Sequence, residues 1–224
     1  GVIPADLPMT KEKVRDHLRA TGREPVWTAM QGYVYGSRMG DAEPFPGVLA
    51  FLRTCREQNV ETFIVSHKTR TPYAGPAYDL HAAALGWMEA RGLFDPEGIG
   101  LGRERVFLEP TKADKLARIG ALGCTHFIDD LPEFLGEAAF PGGVQRLLFA
   151  PTGARSDDPG VVPCASWADI AAMLLGVAVA LTFAAGYGWT ASTSFANRGS
   201  SMARALSVAF GGLGRDEVLG VRGA

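Results

Sequence analysis

The chain has 224 residues, which is enough for one α/β domain of about 150–200 residues with an extension. It carries 22 basic and 24 acidic residues and a net charge of −2, so its composition gives no electrostatic support for binding nucleic acid. Three widely spaced cysteines in apolar stretches, Cys55, Cys124 and Cys164, indicate reduced, buried thiols of a cytoplasmic protein. No cysteine or histidine pair has the spacing typical of a zinc site.

The first part of the chain has a mostly polar, helical pattern over residues 8–39, with Thr10 as a candidate N-cap. A loop, GDAEPFPG (40–47), then leads through its Pro-Gly pair into the amphipathic stretch VLAFLRTCREQN. We interpret residues 1–42 as a small helical, cap-like segment and residues 43–170 as the core domain.

In the core, short apolar segments alternate with helical ones. ETFIVSH (61–67), RVFLEP (105–110), THFIDD (125–130) and QRLLFAP (145–151) are predicted strands. DLHAAALGWMEARG (79–92), TKADKLARIGALG (111–123) and SWADIAAML (166–174) are predicted helices. The alternation predicts βαβ units and an open, mostly parallel, Rossmann-like sheet with helices on both faces. In such sheets ligands bind beyond the carboxyl ends of the strands.

Residues 171–224 form an apolar tail, rich in alanine and glycine, whose role the sequence does not reveal. There is no charged residue from Ile170 to Asn197, and AAMLLGVAVALTFAAGYGW is long enough to span a bilayer. The stretch is only weakly hydrophobic, however. Three interpretations remain open: a membrane span, a helix that is buried or binds a partner, and a segment not folded with this domain.

Polar residues lie at the ends of three predicted strands. Ser66 ends the first strand, where its hydroxyl and the free backbone N–H groups after it could hold an anionic oxygen. Lys112 begins a helix, a position that the helix dipole disfavours for a cation. Asp129 and Asp130 supply two hard oxygen ligands that suit Mg²⁺ together with a phosphate. On successive ends of one sheet, these groups could face a single phosphate.

Each of these residues also has an ordinary structural interpretation. Ser66 could cap the next turn, and Lys112 could be a solvated lysine, as we expect Lys115 to be. Asp130 could cap the turn LPEFLGEA while Asp129 pairs with a cation. The sequence alone leaves these alternatives open.

A polar loop, SHKTRTPYAGPAYDLH, follows the first strand. Its residues His67, Lys68, Arg70, Tyr73 and His81 could line a substrate entrance. The alternative is a solvated loop with no contact to a substrate, and the sequence favours neither.

The ordered segments FIVSHKT, TKADKLARI and FIDDLPEF, within residues 43–151, resemble the haloacid dehalogenase (HAD) superfamily of phosphohydrolases. The resemblance implies that Ser66 hydrogen-bonds the transferring phosphoryl group and that Lys112 offsets charge on the nucleophile and the phosphate. It also implies that Asp129 and Asp130 hold Mg²⁺, and that residues 8–39 are a small cap insertion. More narrowly, IPADLP, SHKTR and CTHFIDDLPE resemble a HAD-like domain found upstream of aminoglycoside-phosphotransferase-like domains.

The chain departs from the family pattern at its first motif, DxD, which supplies the nucleophile and the general acid–base at the end of the first strand. The aspartates before Ser66 are Asp6, Asp16 and Asp41, and none of them ends an apolar strand. We therefore expect a chain that is truncated at its N-terminus and inactive alone. We also expect apolar faces beside the missing strand, which residues 171–189 of the tail could partly cover.

Two functional hypotheses follow. The first is an incomplete, Mg²⁺-dependent HAD-like phosphohydrolase domain that acts on a small phosphorylated molecule. The second is a non-catalytic HAD-fold binding or regulatory module of a larger, phosphotransferase-like protein. A phosphorylation-dependent receiver domain also uses an acidic pair, a hydroxyl and a lysine, but it carries the acidic pair first, whereas here Ser66 and Lys112 precede it.

Overall fold

A computed structural model describes residues 2–8, 11–176 and 205–208 of the chain, the last of these as backbone only. Within these ranges the helices are α1 (Lys11–Ala20), α2 (Glu24–Gly36), α3 (Val48–Glu57), α4 (Leu80–Ala90), α5 (Lys112–Ala121), α6 (Pro132–Leu135) and α7 (Trp167–Leu175). The strands are β1 (Glu61–His67), β2 (Val106–Glu109), β3 (His126–Asp129), β4 (Gln145–Phe149), β5 (Val161–Cys164) and β6 (Ala205–Val208). Short 3₁₀ helices occur at Met39–Asp41 and Arg103–Arg105.

The six strands form one sheet in the order β2-β1-β6-β3-β4-β5, and every neighbouring pair is parallel. Helices connect successive strands from β1 to β4, which confirms the predicted α/β class. Strand β5 was not predicted because its sequence, VVPC, is short and contains Pro163. It lies at an edge of the sheet, where a missing backbone donor is tolerated.

Side chains of the strands alternate between two buried faces. Ile64 and Ile128 belong to the apolar core that includes residues of α3, α4 and α7. Val65 and Phe127 belong to the core that includes residues of α5 and α6. Helices thus cover both faces of the sheet, as the near-continuous apolar strands of a parallel sheet require.

All three cysteines are buried and none of them forms a disulfide, which confirms the prediction of reduced, buried thiols. Burial raises the pKa of the Cys55 thiol to about 12 and that of Cys164 to about 11. These thiols are therefore held in the protonated, poorly nucleophilic form at neutral pH.

The predicted helical region near the N-terminus forms two helices, α1 and α2, with a small apolar core of their own. That core contains Val14, Leu18 and Trp27. The candidate N-cap, Thr10, lies outside the described residues. Helix α2 also packs against α4, and the interpretation of residues 1–42 as a cap-like segment stays a prediction.

Helix α2 also packs directly against the loop that follows β1. A Cβ atom placed on Gly32 would lie 2.7 Å from Cβ of Pro72 and 3.0 Å from the carbonyl oxygen of Ala74. A Cβ on Gly36, one turn later, would lie 2.5 Å from Cβ of Tyr78. Because neither glycine has a side chain, the helix backbone can contact the Pro72 and Tyr78 side chains of the loop directly.

The tail is more closely associated with the core than the sequence suggested. The boundary that we placed after residue 170 falls within α7, which runs to Leu175. Strand β6 lies between β1 and β3, so residues 205–208 fill the gap that we expected residues 171–189 to cover. Beyond Gly176, that predicted covering segment lies outside the described residues.

None of the described helices is both long and apolar enough to cross a bilayer. Most of the candidate membrane span, which begins at residue 171, lies outside the ranges that the structure describes.

The contact between α2 and the loop gives a first prediction. Gly32→Ala should reduce the free energy of unfolding by about 1–3 kcal/mol, because the added methyl group overpacks the contact with Pro72 and Ala74. The control is Gly86→Ala in α4, where a Cβ meets nothing within 4 Å. It should stabilise the protein by about 0.5–1 kcal/mol through helix propensity. Urea unfolding measures both, and equal effects of the two substitutions would contradict the close contact.

Candidate functional site

Ser66 is buried near the carboxyl end of β1, with 8 % of its surface exposed. Ile64 is level with Val208 of β6, which is level with Ile128 of β3. Ser66 lies two residues after Ile64, and Asp130 lies two residues after Ile128. Ser66 and Asp130 are therefore at the same height in the sheet. Because side chains alternate along a strand, Ser66 faces the same side of the sheet as Ile64, where α3, α4 and α7 pack.

The backbone N–H groups after Ser66 are not all available to a ligand, as we had expected them to be. The N–H of Lys68 donates to the carbonyl oxygen of Glu109 at 2.8 Å, because the pairing of β1 with β2 continues past the end of the strand. That part of the prediction is wrong.

Asp129, the last residue of β3, forms a buried ion pair. Its Oδ2 atom accepts a hydrogen bond from Nζ of Lys115 at 2.5 Å, and its Oδ1 atom accepts one from the N–H of Leu131 at 3.0 Å. The two charged side chains are only 4 % and 1 % exposed. The pair lies at the edge of the sheet where the strands end, on the face covered by α5.

Aromatic rings surround the ammonium group of Lys115. Nζ lies 3.8 Å from the ring centroid of Phe134 and 5.2 Å from that of Phe127. An ammonium group over a ring face is attracted by the ring quadrupole, most strongly where water is excluded. The lysine is therefore held by one carboxylate and two rings rather than by solvent.

Our expectation that Lys115 is solvated is wrong. The helical period explains its position: α5 turns Leu116 and Ile119 toward the sheet, and residue 115 lies on the edge of the same inward stripe. Lys115 is the functional candidate that the sequence reasoning missed. The signal was the apolar spacing around it, which also marks position 115 as inward-facing.

Lys112, the predicted catalytic lysine, is the first residue of α5, directly after the N-cap Thr111. Its ammonium group forms an ion pair with Glu137, and its side chain is 52 % exposed. The structure thus places Lys115, and not Lys112, on Asp129. A catalytic role for Lys112 stays a prediction.

Asp130 is half-buried between β3 and α6. The N-cap position of α6 is Leu131, one residue after Asp130, so Asp130 does not occupy the cap position that we gave it. The other part of that interpretation, in which Asp129 pairs with a cation, is what the structure shows. Asp130 is the more exposed of the two predicted metal ligands.

The donor set at this edge agrees in type with Mg²⁺. Among the described residues there is no group of three or more His, Cys, Asp or Glu side chains placed to bind one metal ion. Mg²⁺ does not require such a group, because one or two carboxylates, waters and substrate phosphate usually complete its shell. Each carboxylate oxygen has two lone pairs, so the hydrogen bonds to Asp129 leave it able to accept a further ligand.

The loop after β1 is closed by contacts within itself. Arg70 forms an ion pair with Asp79, the N-cap of α4, at 2.9 Å. The N–H of Ala82 and then the Arg70 guanidinium lower the pKa of the Asp79 carboxyl. Nε2 of His81 lies 2.8 Å from the carbonyl oxygen of Lys68. These contacts give the loop a fixed shape.

Two further candidates from this loop reach neighbouring elements. Nε2 of His67 lies 3.1 Å from the carbonyl oxygen of Pro110, and Nζ of Lys68 lies 4.7 Å from the ring centroid of Tyr35 in α2. Tyr73 is 81 % exposed and is the most exposed of the large apolar side chains described. A role for His67, Lys68 and Arg70 in binding a substrate stays a prediction.

Comparison of the chain with protein-family models, with curated proteins and with solved structures found no match. The similarity to the HAD superfamily therefore stays a prediction that depends on the segments around Ser66, Lys112 and Asp129–Asp130.

The ion pair gives a second prediction. Lys115→Met should lower the free energy of unfolding by about 3–5 kcal/mol, because it leaves the buried Asp129 carboxylate without its counter-charge. Lys112→Met is the matched control and should change stability by less than about 1 kcal/mol, since it removes an exposed pair. The double variant Lys115→Met/Asp129→Leu should recover most of the loss. Urea unfolding curves of equal slope measure all three, and equal losses for the two single variants would contradict the buried pair.

Proposed function

We propose that this chain carries the phosphate- and Mg²⁺-binding part of a HAD-like phosphohydrolase site on an open, Rossmann-like sheet. The observation that supports the proposal best is the buried pair of Lys115 and Asp129 at the carboxyl end of parallel strands. A buried ion pair stabilises a fold no better than apolar residues of similar volume. Its occurrence where ligands of such sheets bind favours a functional role.

In this proposal the roles are divided among four residues. Asp129 and Asp130 hold Mg²⁺, Lys115 takes the place that we first gave to Lys112, and the Ser66 hydroxyl donates to a phosphoryl oxygen. Bound Mg²⁺ would supply positive charge that neutralises the phosphate oxygens.

Lys115 is suited to bind a phosphate oxygen through its remaining donors. An ammonium group has three N–H donors, and Asp129 accepts one of them. The carboxylate also fixes the position of Nζ, so little freedom is lost when a ligand binds. Asp129 thereby acts both as a metal ligand and as the group that positions the lysine.

Hydrolysis requires a nucleophile in addition to these groups. By the resemblance, a carboxylate would attack phosphorus and release the alcohol, and water would then cleave the acyl phosphate. Of the carboxylates described where β2 and β3 end, Glu109 is paired with Arg118, and Asp129 and Asp130 are assigned to the metal. We therefore expect this chain to bind a small phosphorylated ligand without turning it over.

A specific observation favours the second candidate function, a non-catalytic binding module. Strand β6 occupies the centre of the sheet, between the strands that carry Ser66 and Asp129. After Val208 the sequence continues with Ala209, Phe210 and Gly211, none of which carries a carboxylate. Such a module could serve a larger phosphotransferase-like protein, and its reduced thiols fit a cytoplasmic location.

Metal binding gives a third prediction. In titration calorimetry with Mg²⁺ at saturating inorganic phosphate, Asp130→Asn should weaken Mg²⁺ binding about tenfold or more, because it removes one charged oxygen ligand. Asp157→Asn is the control, since Asp157 is exposed on the loop before β5. Equal Mg²⁺ affinities for the two variants would contradict the assignment of Asp130 to the metal.

The fourth prediction follows from the lack of a nucleophile among the carboxylates described where β2 and β3 end. The unmodified chain should not hydrolyse p-nitrophenyl phosphate, whereas Ala209→Asp, which places a carboxylate directly after β6, should gain Mg²⁺-dependent hydrolysis. Ala209→Asn is the matched control and should stay inactive, because an amide cannot form the acyl phosphate. Mg²⁺-dependent hydrolysis by the unmodified chain that Asp130→Asn abolishes would reject the non-catalytic module and reveal another nucleophile.

A further inference from the structure

The two parts of the sheet are joined only through β6 in the portion of the chain that the structure describes. Strands β1 and β2 form one parallel pair, and β3, β4 and β5 form another ladder. β6 pairs with β1 on one side and with β3 on the other, so that Phe63, Ser207 and Phe127 are level. The backbone of residues 205–208 therefore determines whether the two parts form a continuous sheet.

The ion pair of the candidate site crosses this junction. Lys115 belongs to α5, which packs against β1 and β2, whereas Asp129 ends β3 on the other side of β6. With one strand between them, β1 and β3 lie about 10 Å apart, twice the usual strand spacing. The distance between the ammonium group of Lys115 and the carboxylate of Asp129 thus depends on the presence of β6 between β1 and β3.

The apolar core on this face crosses the junction in the same way. Val65 of β1 and Ile119 of α5 belong to the same buried cluster as Phe127 of β3 and Phe134 of α6. Phe127 and Phe134 are also the rings next to Nζ of Lys115. A change in the spacing of β1 and β3 would therefore alter both the ion pair and the rings that enclose it.

Strand β6 pairs in parallel with β1 and β3 and is distant in sequence from both of them. Residues 177–204 separate it from α7, and its partners β1 and β3 lie far earlier in the chain. Addition of an extended segment to a sheet relies on main-chain hydrogen bonds, which need no particular side chains. Contacts between segments so distant in sequence carry a loop-closure entropy cost that is met before the strand pairing is gained.

We propose that residues 205–208 are a docking strand that assembles the site: their insertion between β1 and β3 brings Asp129 onto Lys115. Binding of Mg²⁺ and phosphate at that pair, which rests on the proposed function, then stabilises the docked strand. By linkage, a ligand that binds better when the strand is docked must also strengthen its docking. The segment that inserts between β1 and β3 belongs to this chain itself, in the register that aligns Val208 with Ile64 and Ile128.

The test uses Ser207→Pro in the full chain, because proline removes a backbone donor in the middle of a central strand. Ser207→Thr, which keeps the donor and favours strands, is the matched control. Acetylation of Lys115 is followed by mass spectrometry, with the exposed Lys112 as the internal reference. In Ser207→Pro the Lys115 rate should rise about tenfold or more relative to Lys112, and in Ser207→Thr it should not change. A Lys115 that stays protected in Ser207→Pro would overturn the proposal.

Hydrogen exchange of the unmodified chain provides a second test if Ser207→Pro does not fold. The amides of residues 205–208 should be protected, and Mg²⁺ with inorganic phosphate should slow their exchange several-fold. Exchange that is fast with and without these ions would overturn the docking strand. Protection that increases with protein concentration would assign the strand to a second copy and overturn docking within one chain.

The two proposals fail in distinguishable ways. Calorimetry that detects no Mg²⁺-dependent phosphate binding would reject the proposed function, while the exposure of Lys115 in Ser207→Pro would still decide whether β6 assembles the pair. Normal phosphate binding in Ser207→Pro, with Lys115 protected, would leave the proposed function intact and reject the docking strand.

Discussion

The ion pair between Lys115 and Asp129 is the interaction on which the arrangement of the candidate site depends. Both charged side chains are almost fully removed from water, and loss of either one would leave the other as a buried charge without a partner. Their contact fixes the end of β3 relative to α5 and holds the ammonium group against the rings of Phe127 and Phe134. In the same contact Lys115 keeps N–H donors that could form hydrogen bonds to a phosphate oxygen. One interaction thus connects the packing of the core to the chemistry proposed for its edge.

Much of the fold could be predicted because the apolar segments have a clear period. The strand ETFIVSH matches β1 residue for residue, and the helices that follow end at or near the glycines that the sequence shows. Ser66 and Asp129 could be assigned to the ends of their strands for the same reason. Strand β5 escaped prediction because Pro163 interrupts it, and β6 because a four-residue apolar segment in an apolar tail has no boundaries of its own.

The assignment of the site lysine to Lys112 instead of Lys115 has a different physical origin. Composition marks Lys112 and Lys115 alike as cations at the start of a helix, and the dipole argument made Lys112 the more unusual of the two. The two lysines differ in the direction of their side chains. Lys112 points to Glu137 at the surface, whereas Lys115 lies beside Leu116 on the face that meets the sheet. The helical period sets this direction, because position 115 lies beside the inward-facing Leu116 and Ile119, whereas the dipole argument carries no information on which way a side chain points.

The two glycines of α2 restrict how the loop after β1 could be replaced in order to change ligand specificity. Because Gly32 and Gly36 bring the helix backbone against the side chains of Pro72 and Tyr78, the helix and the loop are complementary in shape. A loop transplanted from another protein would meet the wrong surface unless α2 were transplanted with it. Helix α2 and the loop after β1 would therefore have to be exchanged together, although more than thirty residues and a strand separate them in the sequence.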